Sequence, residues 1–499
     1  MMSLKKKIER NKKSSSKQDA AKIDKELPYF IALITLMAAS GTSPFISLKK
    51  IARFDLLPIM SKEAKSMIRQ VEILGNDPLT VMNKNADKTS SKSYQDFLAG
   101  YVSTVQTGGS VVHYLKSKMY SILDLQGAIA KQLVAKLAAL VDAYMIIQVV
   151  VLTMYIMYVA MSSTPSLARS LIPDISSMTR LFYVFLFIPP LMSGMLMFIS
   201  QKMISSTYIG TEKILKKGLL FAIVLVPPMF IIPSVIPVDL GFFGLPYLMG
   251  LALLAASIIP FLEYQKIEKI NSSAERATPS ILRDIAEARK TGLSPERCIA
   301  HAFKRKGYDV FSSVLDRVVN NLGWGIPLRA VISNIRKQVS SWFVLINFQT
   351  LIEVIDSGGG HVEALDKLAE SSERMYNVEK EKKSMLRPYV MIAFLITGIS
   401  AFTTLLVIDS FTGMAEQVNA TEKGQPGTSS SITKGMRDLF AASIVFQAYL
   451  VGLFIGKITS GTLAAGFKHS ILLVITVLVS IIIVEFAPID LNMLFGQIA

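Results

Sequence analysis

The chain has 499 residues, 51% of them hydrophobic and 18% charged, with a formal net charge of +16 and a mean hydropathy of +0.44. This balance excludes an ordinary soluble enzyme and fits a membrane protein whose basic loops face anionic headgroups. Cys298 is the sole cysteine, so an intramolecular disulfide and a cysteine-rich metal centre are excluded, and basic residues are not interleaved with aromatics as single-strand nucleic-acid binding requires.

Residues 1–26 are rich in Lys and Ser and read as a basic disordered tail. No cleavable signal peptide is expected, because the first apolar stretch starts only at Leu27 and lacks a good cleavage site. A first helical domain is expected over 27–135. Its opening run, Pro28–Ser40, is apolar but covers only about 13 residues, whereas a membrane span needs roughly 20.

That run has a counterpart about 250 residues later, Pro279–Thr291, which carries Arg283, Asp284, Glu287, Arg289 and Lys290 and cannot cross a bilayer. Further landmarks recur in the same order. Gly41-Thr42-Ser43-Pro44 returns as Gly292-Leu293-Ser294-Pro295. Gly75-Asn76-Asp77-Pro78-Leu79 returns as Gly325-Ile326-Pro327-Leu328. Thr107-Gly108-Gly109-Ser110 returns as Ser357-Gly358-Gly359-Gly360. The interval from Gly75 to Gly108 is 33 residues, and so is that from Gly325 to Gly358. Spaced landmarks in a fixed order mark a duplicated domain. Homologous helices share an environment, so Pro28–Ser40 is expected to be a buried helix of a bundle.

The Gly-x-Ser-Pro motif has a local reading. Gly41 and Gly292 end one helix in the left-handed conformation. Ser43 and Ser294 cap the next helix, and Pro44 and Pro295 occupy its first position, where a missing N–H costs nothing. The Gly108-Gly109 and Gly358-Gly359 pairs read as breaks between helices.

A membrane block of four spans is expected over 136–263, at Leu140–Met161, Met178–Ser200, Gly218–Pro237 and Gly241–Glu263. The second helical domain then fills 264–386. A second membrane block, 387–499, supplies three more spans at Pro388–Asp409, Leu439–Lys457 and Ile471–Pro488, with an outer loop at 410–434. The fold class is therefore all-α, a polytopic membrane protein of about seven spans with two duplicated cytoplasmic helical bundles. Lys202, Lys213, Lys216, Lys217, Lys457 and Lys468 lie in loops on one side. The positive-inside bias puts the N-terminus and both repeats in the cytoplasm and the C-terminus outside a cell membrane.

No catalytic, cofactor-binding or metal-binding constellation is found, so no cofactor and no enzyme activity are expected. Gly452-Leu453-Phe454-Ile455-Gly456-Lys457 has the wrong spacing for a nucleotide loop and lies in a span. Cys298 and His301 share a helix turn but have no second ligand pair nearby. Asp142, Asp409, Asp438 and Glu485 lie near span ends, where a transporter would place charges at the midplane. One basic cluster stands out in the second domain: Arg283, Arg289, Lys290, Arg297, Lys304, Arg305 and Lys306. It is a candidate docking surface for an acidic partner, against the plainer reading of a solvated face.

Two helical domains with these landmarks, interrupted by membrane helices, resemble the type II secretion F family. Four spans between the repeats look like its archaeal branch, and within it the archaellum assembly platforms. The resemblance implies a motility-linked platform, a homodimer embedded in membrane lipids. It implies a hexameric secretion or archaellum motor ATPase as partner, with pilin-like archaellin subunits and other archaellum motor components; the basic cluster and the spans at both ends of the second repeat make that repeat the expected ATPase contact. A platform for an archaeal type IV-like pilus is the alternative within the family. A membrane transporter or channel is the alternative outside it, but it leaves the duplicated domains unexplained.

Overall fold

A computed structural model describes residues 2–163, 175–204, 208–235, 244–305, 307–358, 360–421 and 428–486. Among these, helices account for every regular element of more than one residue. The first repeat holds α1 (Met2–Ala39), α2 (Pro44–Ile51), α3 (Pro58–Glu72), α4 (Pro78–Lys88) and α5 (Lys92–Gln106), and leads into α6 (Val111–Ser163). The first membrane block adds α7 (Ile175–Met203) and α8 (Glu212–Val235). The second repeat runs from α9 (Leu245–Lys290) through α10 (Pro295–Phe303), α11 (Ser312–Gly323), α12 (Leu328–Arg336) and α13 (Trp342–Gly358) into α14 (Val362–Thr421). The described residues end in α15 (Thr428–Ser460) and α16 (Gly466–Phe486).

The chain divides into two compact units. The first combines residues 1–132 with 267–381, and the second combines 133–266 with 382–499. In the first unit both repeats share one hydrophobic core, with Phe30, Leu33, Leu36 and Met37 of α1 buried alongside Ile281, Ile285, Phe311 and Phe348 of the second repeat. The Pro28–Ser40 segment is thus a buried helix, as its charged counterpart requires. The turn after it forms as its residues dictate. Gly41 and Gly292 adopt φ of 78° and 84°, a region L side chains avoid. Ser43 accepts from the Ile46 N–H at 3.4 Å, and Pro44 and Pro295 begin their helices. Ser294 takes the capping backbone conformation, but its side chain makes no cap bond.

One boundary differs from the sequence expectation. Helix α1 starts at Met2, inside the segment expected to be a disordered tail, and Ile23 and Glu26 are already buried. Ala20, Ala21, Lys22 and Lys25 are good helix formers and extend the apolar helix backwards.

Positions at or within one helical turn of the repeat offset face one another along α6 and α14. Lys116 pairs with Glu363. The Tyr120 hydroxyl donates to Glu370 Oε2 at 2.9 Å and accepts from Lys367 Nζ at 2.7 Å. A Cβ on Gly127 would lie 3.9 Å from Val378 Cγ2, and Lys131 pairs with Glu381 at 3.3 Å. Tyr120 and Glu370 are 250 residues apart, the offset that relates Gly108 to Gly358. Two parallel helices whose matching residues touch are related by an internal pseudo-twofold, the intrachain form of an isologous contact. Around it, Trp342 Nε1 donates to the Leu56 carbonyl at 3.0 Å and its ring meets Tyr29 edge-on at 4.3 Å.

The second unit is apolar. Five helical segments among the described residues are long and apolar enough to cross a membrane: Val111–Thr153, Leu245–Lys290, Val362–Val407, Asp438–Ser460 and Leu463–Glu485. The spans expected near 178–200 and 218–237 fall on α7 and α8, although residues 236–237 lie outside the described set, as does 487–488 of the last span. The loop expected at 410–434 is helical at both ends, because α14 continues to Thr421 and α15 begins at Thr428. Within this unit the α6–α14 pairing recurs. Tyr144 and Thr397 hydroxyls meet at 3.1 Å, and Gln148 donates to Ser400. Gln447 completes the buried polar group by donating to Gln148 Oε1 at 2.6 Å. In lipid, where no water competes, such bonds hold helices in register. Glu485, which lies at a span end, accepts from the Tyr247 hydroxyl at 2.6 Å.

The Gly452–Gly456 motif has a packing role. A Cβ at Gly456 would lie 2.1 Å from the Gly466 Cα, and one at Gly452 would lie 2.3 Å from the Ser470 Cα. Glycines four apart let α15 and α16 approach backbone to backbone. Gly456→Ala is therefore expected to cost about 1–3 kcal/mol through overpacking. Thermal unfolding of the detergent-solubilised protein reads this. Gly194→Ala, where a Cβ meets nothing within 4 Å, should leave the midpoint unchanged or raise it.

Candidate functional site

The repeats are tied internally by one serine–carboxylate interaction that both copies keep. In the first repeat, Ser91 at the cap of α5 donates to the Asp24 carboxylate. In the second, Ser341 just before α13 donates to Glu275 at 2.6 Å. Each serine is buried, and each carboxylate lies on the helix that opens its repeat. Asn271 adds a cap in the second copy by accepting from the N–H groups of Ser340 and Ser341 at 2.8 and 3.0 Å.

Glu26 performs a related task across the first repeat. Helix α3 has Leu57 at its cap and no side-chain cap bond of its own. The Glu26 carboxylate accepts from the Ile59 and Met60 N–H groups at 3.0 and 2.9 Å, replacing the missing cap. Burial raises the Glu26 pKa, and the two backbone bonds with nearby Lys25 oppose that shift only in part. A raised carboxylate pKa means the fold favours the protonated form. Its stabilising effect is full below the unfolded value and is lost as pH rises through the folded value. Ser357, in the last turn of α13, is a further point where the two copies meet through polar groups. It accepts from Lys50 Nζ at 2.6 Å, a cation placed at a helix C-terminus. Nearby, Glu353 is buried; desolvation raises its pKa, opposed chiefly by Arg329, which donates to it at 2.6 Å.

The basic cluster resolves into two sets. Arg283 pairs with Glu373, Lys290 pairs with Asp366 at 3.0 Å, and Arg289 donates to the carbonyls of Gly360 and Leu293. These three bind the second repeat to its own α14 and to the Gly-x-Ser-Pro turn. Arg297 and Lys304 are exposed, and their side chains make no ion pair or hydrogen bond among the described residues. Arg305 pairs with Asp284 at 2.5 Å. Lys306 and Gly359 lie outside the described residues. Gly108, Gly109 and Gly358 stand at helix ends, consistent with breaks between elements. Cys298 is buried, which raises its thiol pKa, whereas His301 is exposed.

Beside Arg305 the structure shows residues that sequence reasoning did not single out. A groove of ≈ 400 Å³ is lined by Ser273, Arg276, Ser280, Arg305, Tyr308 and Asp309 among others. Arg276 pairs with Asp309, and the Tyr308 hydroxyl donates to Asp284 at 2.9 Å. Burial first, then that bond, raises the Tyr308 pKa. Asp309 sits at φ 46°, in the left-handed region. The only sequence signal was indirect: Arg276, Ser280 and Asp284 recur every fourth residue on one helix face.

This is an all-α membrane protein built from an internally duplicated helical domain. A family model described as type II secretion system protein F matches residues 30–159 and again 281–408, slightly more than half the chain. The chain belongs to the type II secretion system protein F family, the membrane platforms of secretion- and pilus-type systems. It is 21% identical over 489 residues to the uncharacterized protein MJ1286 of Methanocaldococcus jannaschii, covering 92% of this chain and 79% of that one. No solved structure matches it.

Glu26 offers a test that separates its geometry from its charge. Glu26→Gln keeps an acceptor and removes a desolvated charge, so at pH 7 stability should hold or rise. Glu26→Ala loses the cap and should cost roughly 1 kcal/mol in denaturant or thermal unfolding.

Proposed function

We propose that this chain is the membrane platform of the archaellum assembly machinery, a protein of the FlaJ (ArlJ) type. In this reading a hexameric motor ATPase docks on the repeats in the cytoplasm. The platform passes its movement to archaellin subunits entering the filament, and it works with the other archaellum motor components as a homodimer. The four apolar helices expected between the repeats support the archaeal layout. The observation that carries the coupling is that each repeat ends in a helix, α6 or α14, that also contains a membrane-length apolar stretch. A displacement of the repeats is thereby passed along the same helices that enter the bilayer. Because both repeats share one core, a displacement of one is passed to the other.

Arg297 and Lys304 are the cations of the cluster left free for a partner. Reversing both to Glu is expected to weaken co-purification of the ATPase roughly tenfold at low salt and less at high salt. A folded double variant that binds the ATPase as the unaltered protein does contradicts the contact. The function itself is tested by deleting the gene, then imaging surface filaments by electron microscopy and scoring swimming. Loss of the archaellum and of motility is expected. Loss of another pilus with normal swimming assigns the platform to that filament, and intact filaments with a changed vesicle uptake would assign a transporter.

A further inference from the structure

The groove beside the 304–311 loop carries an inference that rests on the ATPase-platform reading and goes beyond it. We propose that this groove is a carboxylate-exchange site, where an acidic segment of the protein partner displaces Asp309 from Arg276.

The site is already shaped for carboxylates, because the chain fills it with two of its own. They differ in how firmly they are held. Asp284 is 15% exposed and is gripped by both the Arg305 guanidinium and the Tyr308 hydroxyl. Asp309 is 58% exposed, and its partner Arg276 is 66% exposed. An ion pair so open to water contributes little to stability and is easily exchanged. Asp309 also occupies a left-handed backbone conformation that costs a non-glycine residue energy and persists only when neighbours hold it. The neighbours that hold it are visible. Ser273 donates to the Tyr308 carbonyl at 2.7 Å, and Ser312 donates to the Asp309 carbonyl at 2.7 Å. Those contacts are backbone contacts and survive loss of the Arg276 pair. Asp309 can therefore swing its side chain away while the loop stays anchored.

A guanidinium binds a carboxylate through two parallel N–H bonds, and the exposed Ser280 hydroxyl, one helical turn on, supplies a third donor. Arg297 and Lys304 add free positive charge on the same repeat. The first repeat has no such site. The positions matching Arg276, Ser280 and Asp284 at the offset of Gly41 and Gly292 are Lys25, Tyr29 and Leu33. Exchange thus marks one repeat of an otherwise paired unit, so a partner that recognises it binds in one orientation.

The experiment measures binding of a fluorescein-labelled hexaglutamate peptide to the full-length protein in detergent micelles by anisotropy. A hexaglutamine peptide serves as control and inorganic phosphate as competitor. Arg276→Gln is expected to weaken the hexaglutamate complex roughly tenfold, the worth of one charge-assisted hydrogen-bonded pair. Asp309→Asn, which removes the internal competitor and keeps a side chain tolerant of that backbone, is expected to tighten it roughly threefold. Opposite shifts from the two variants support exchange. Equal affinity for hexaglutamine, displacement by phosphate as effective as by unlabelled peptide, or weakening by Asp309→Asn overturns it. ATPase co-purification with the same variants is scored separately. If the peptide behaves as expected but the ATPase binds all variants alike, the partner assignment fails and the carboxylate site stands.

Discussion

The contact on which the rest depends is the parallel pairing of α6 with α14. At matching positions, i and i + 250, the two helices present complementary residues, Tyr120 to Glu370 and Lys131 to Glu381. That pairing lies beside the one core to which both repeats contribute. Tyr120 is bracketed by Lys367, Glu370 and Arg374, with the Arg374 guanidinium 4.7 Å from its ring, so the Tyr120 hydroxyl and the Glu370 carboxylate are satisfied across the seam. Among apolar neighbours the two helices stay paired, two to three residues out of that register, through Tyr144 with Thr397 and Gln148 with Ser400, where hydrogen bonds take over from ion pairs. The change in chemistry follows the solvent: charged pairs are tolerated near water, and neutral hydrogen bonds are used where ions would be costly.

Symmetry in the seam is balanced by asymmetry away from it. Ala32, Ala38 and Ala39 of the first repeat stand where the second has Arg283, Arg289 and Lys290. The three cations bind carboxylates and carbonyls of the second repeat's own α14 and turns. The first repeat achieves its closure differently, with Glu26 capping α3 from a distance. A common scaffold has thus kept its Ser–carboxylate ties, Ser91 with Asp24 and Ser341 with Glu275, while its outer surfaces have diverged. Only the divergent surfaces can distinguish one partner from another.

Much of this was legible from residues alone, and the failures have physical causes. The Gly-x-Ser-Pro turn was readable because a left-handed glycine, a capping serine and a first-turn proline act within four residues. The buried state of Pro28–Ser40 was readable because a charged homologue ruled out the bilayer. What sequence missed involves partners far apart along the chain. Arg283 and Glu373 are 90 residues apart, so a cluster that looked free is partly neutralised. Gly452 and Gly456 suggested a nucleotide loop and were set aside, because a motif string does not show which backbone packs against it. The serine–carboxylate ties went unseen because Asp and Glu differ in type, yet Asp24 and Glu275 stand at the repeat offset and extend the duplication before its first proline.

Facing of equivalent positions is the central claim, and a cysteine pair tests it directly. In a Cys298→Ser background, Gly127→Cys with Val378→Cys places two thiols across the seam in the full-length protein within its membrane. A short thiol-reactive cross-linker should join them within one chain, giving a monomer-sized product of altered mobility, while each single cysteine variant gives none. Absence of that product, or cross-linking only between separate chains, would contradict the internal pairing of the repeats.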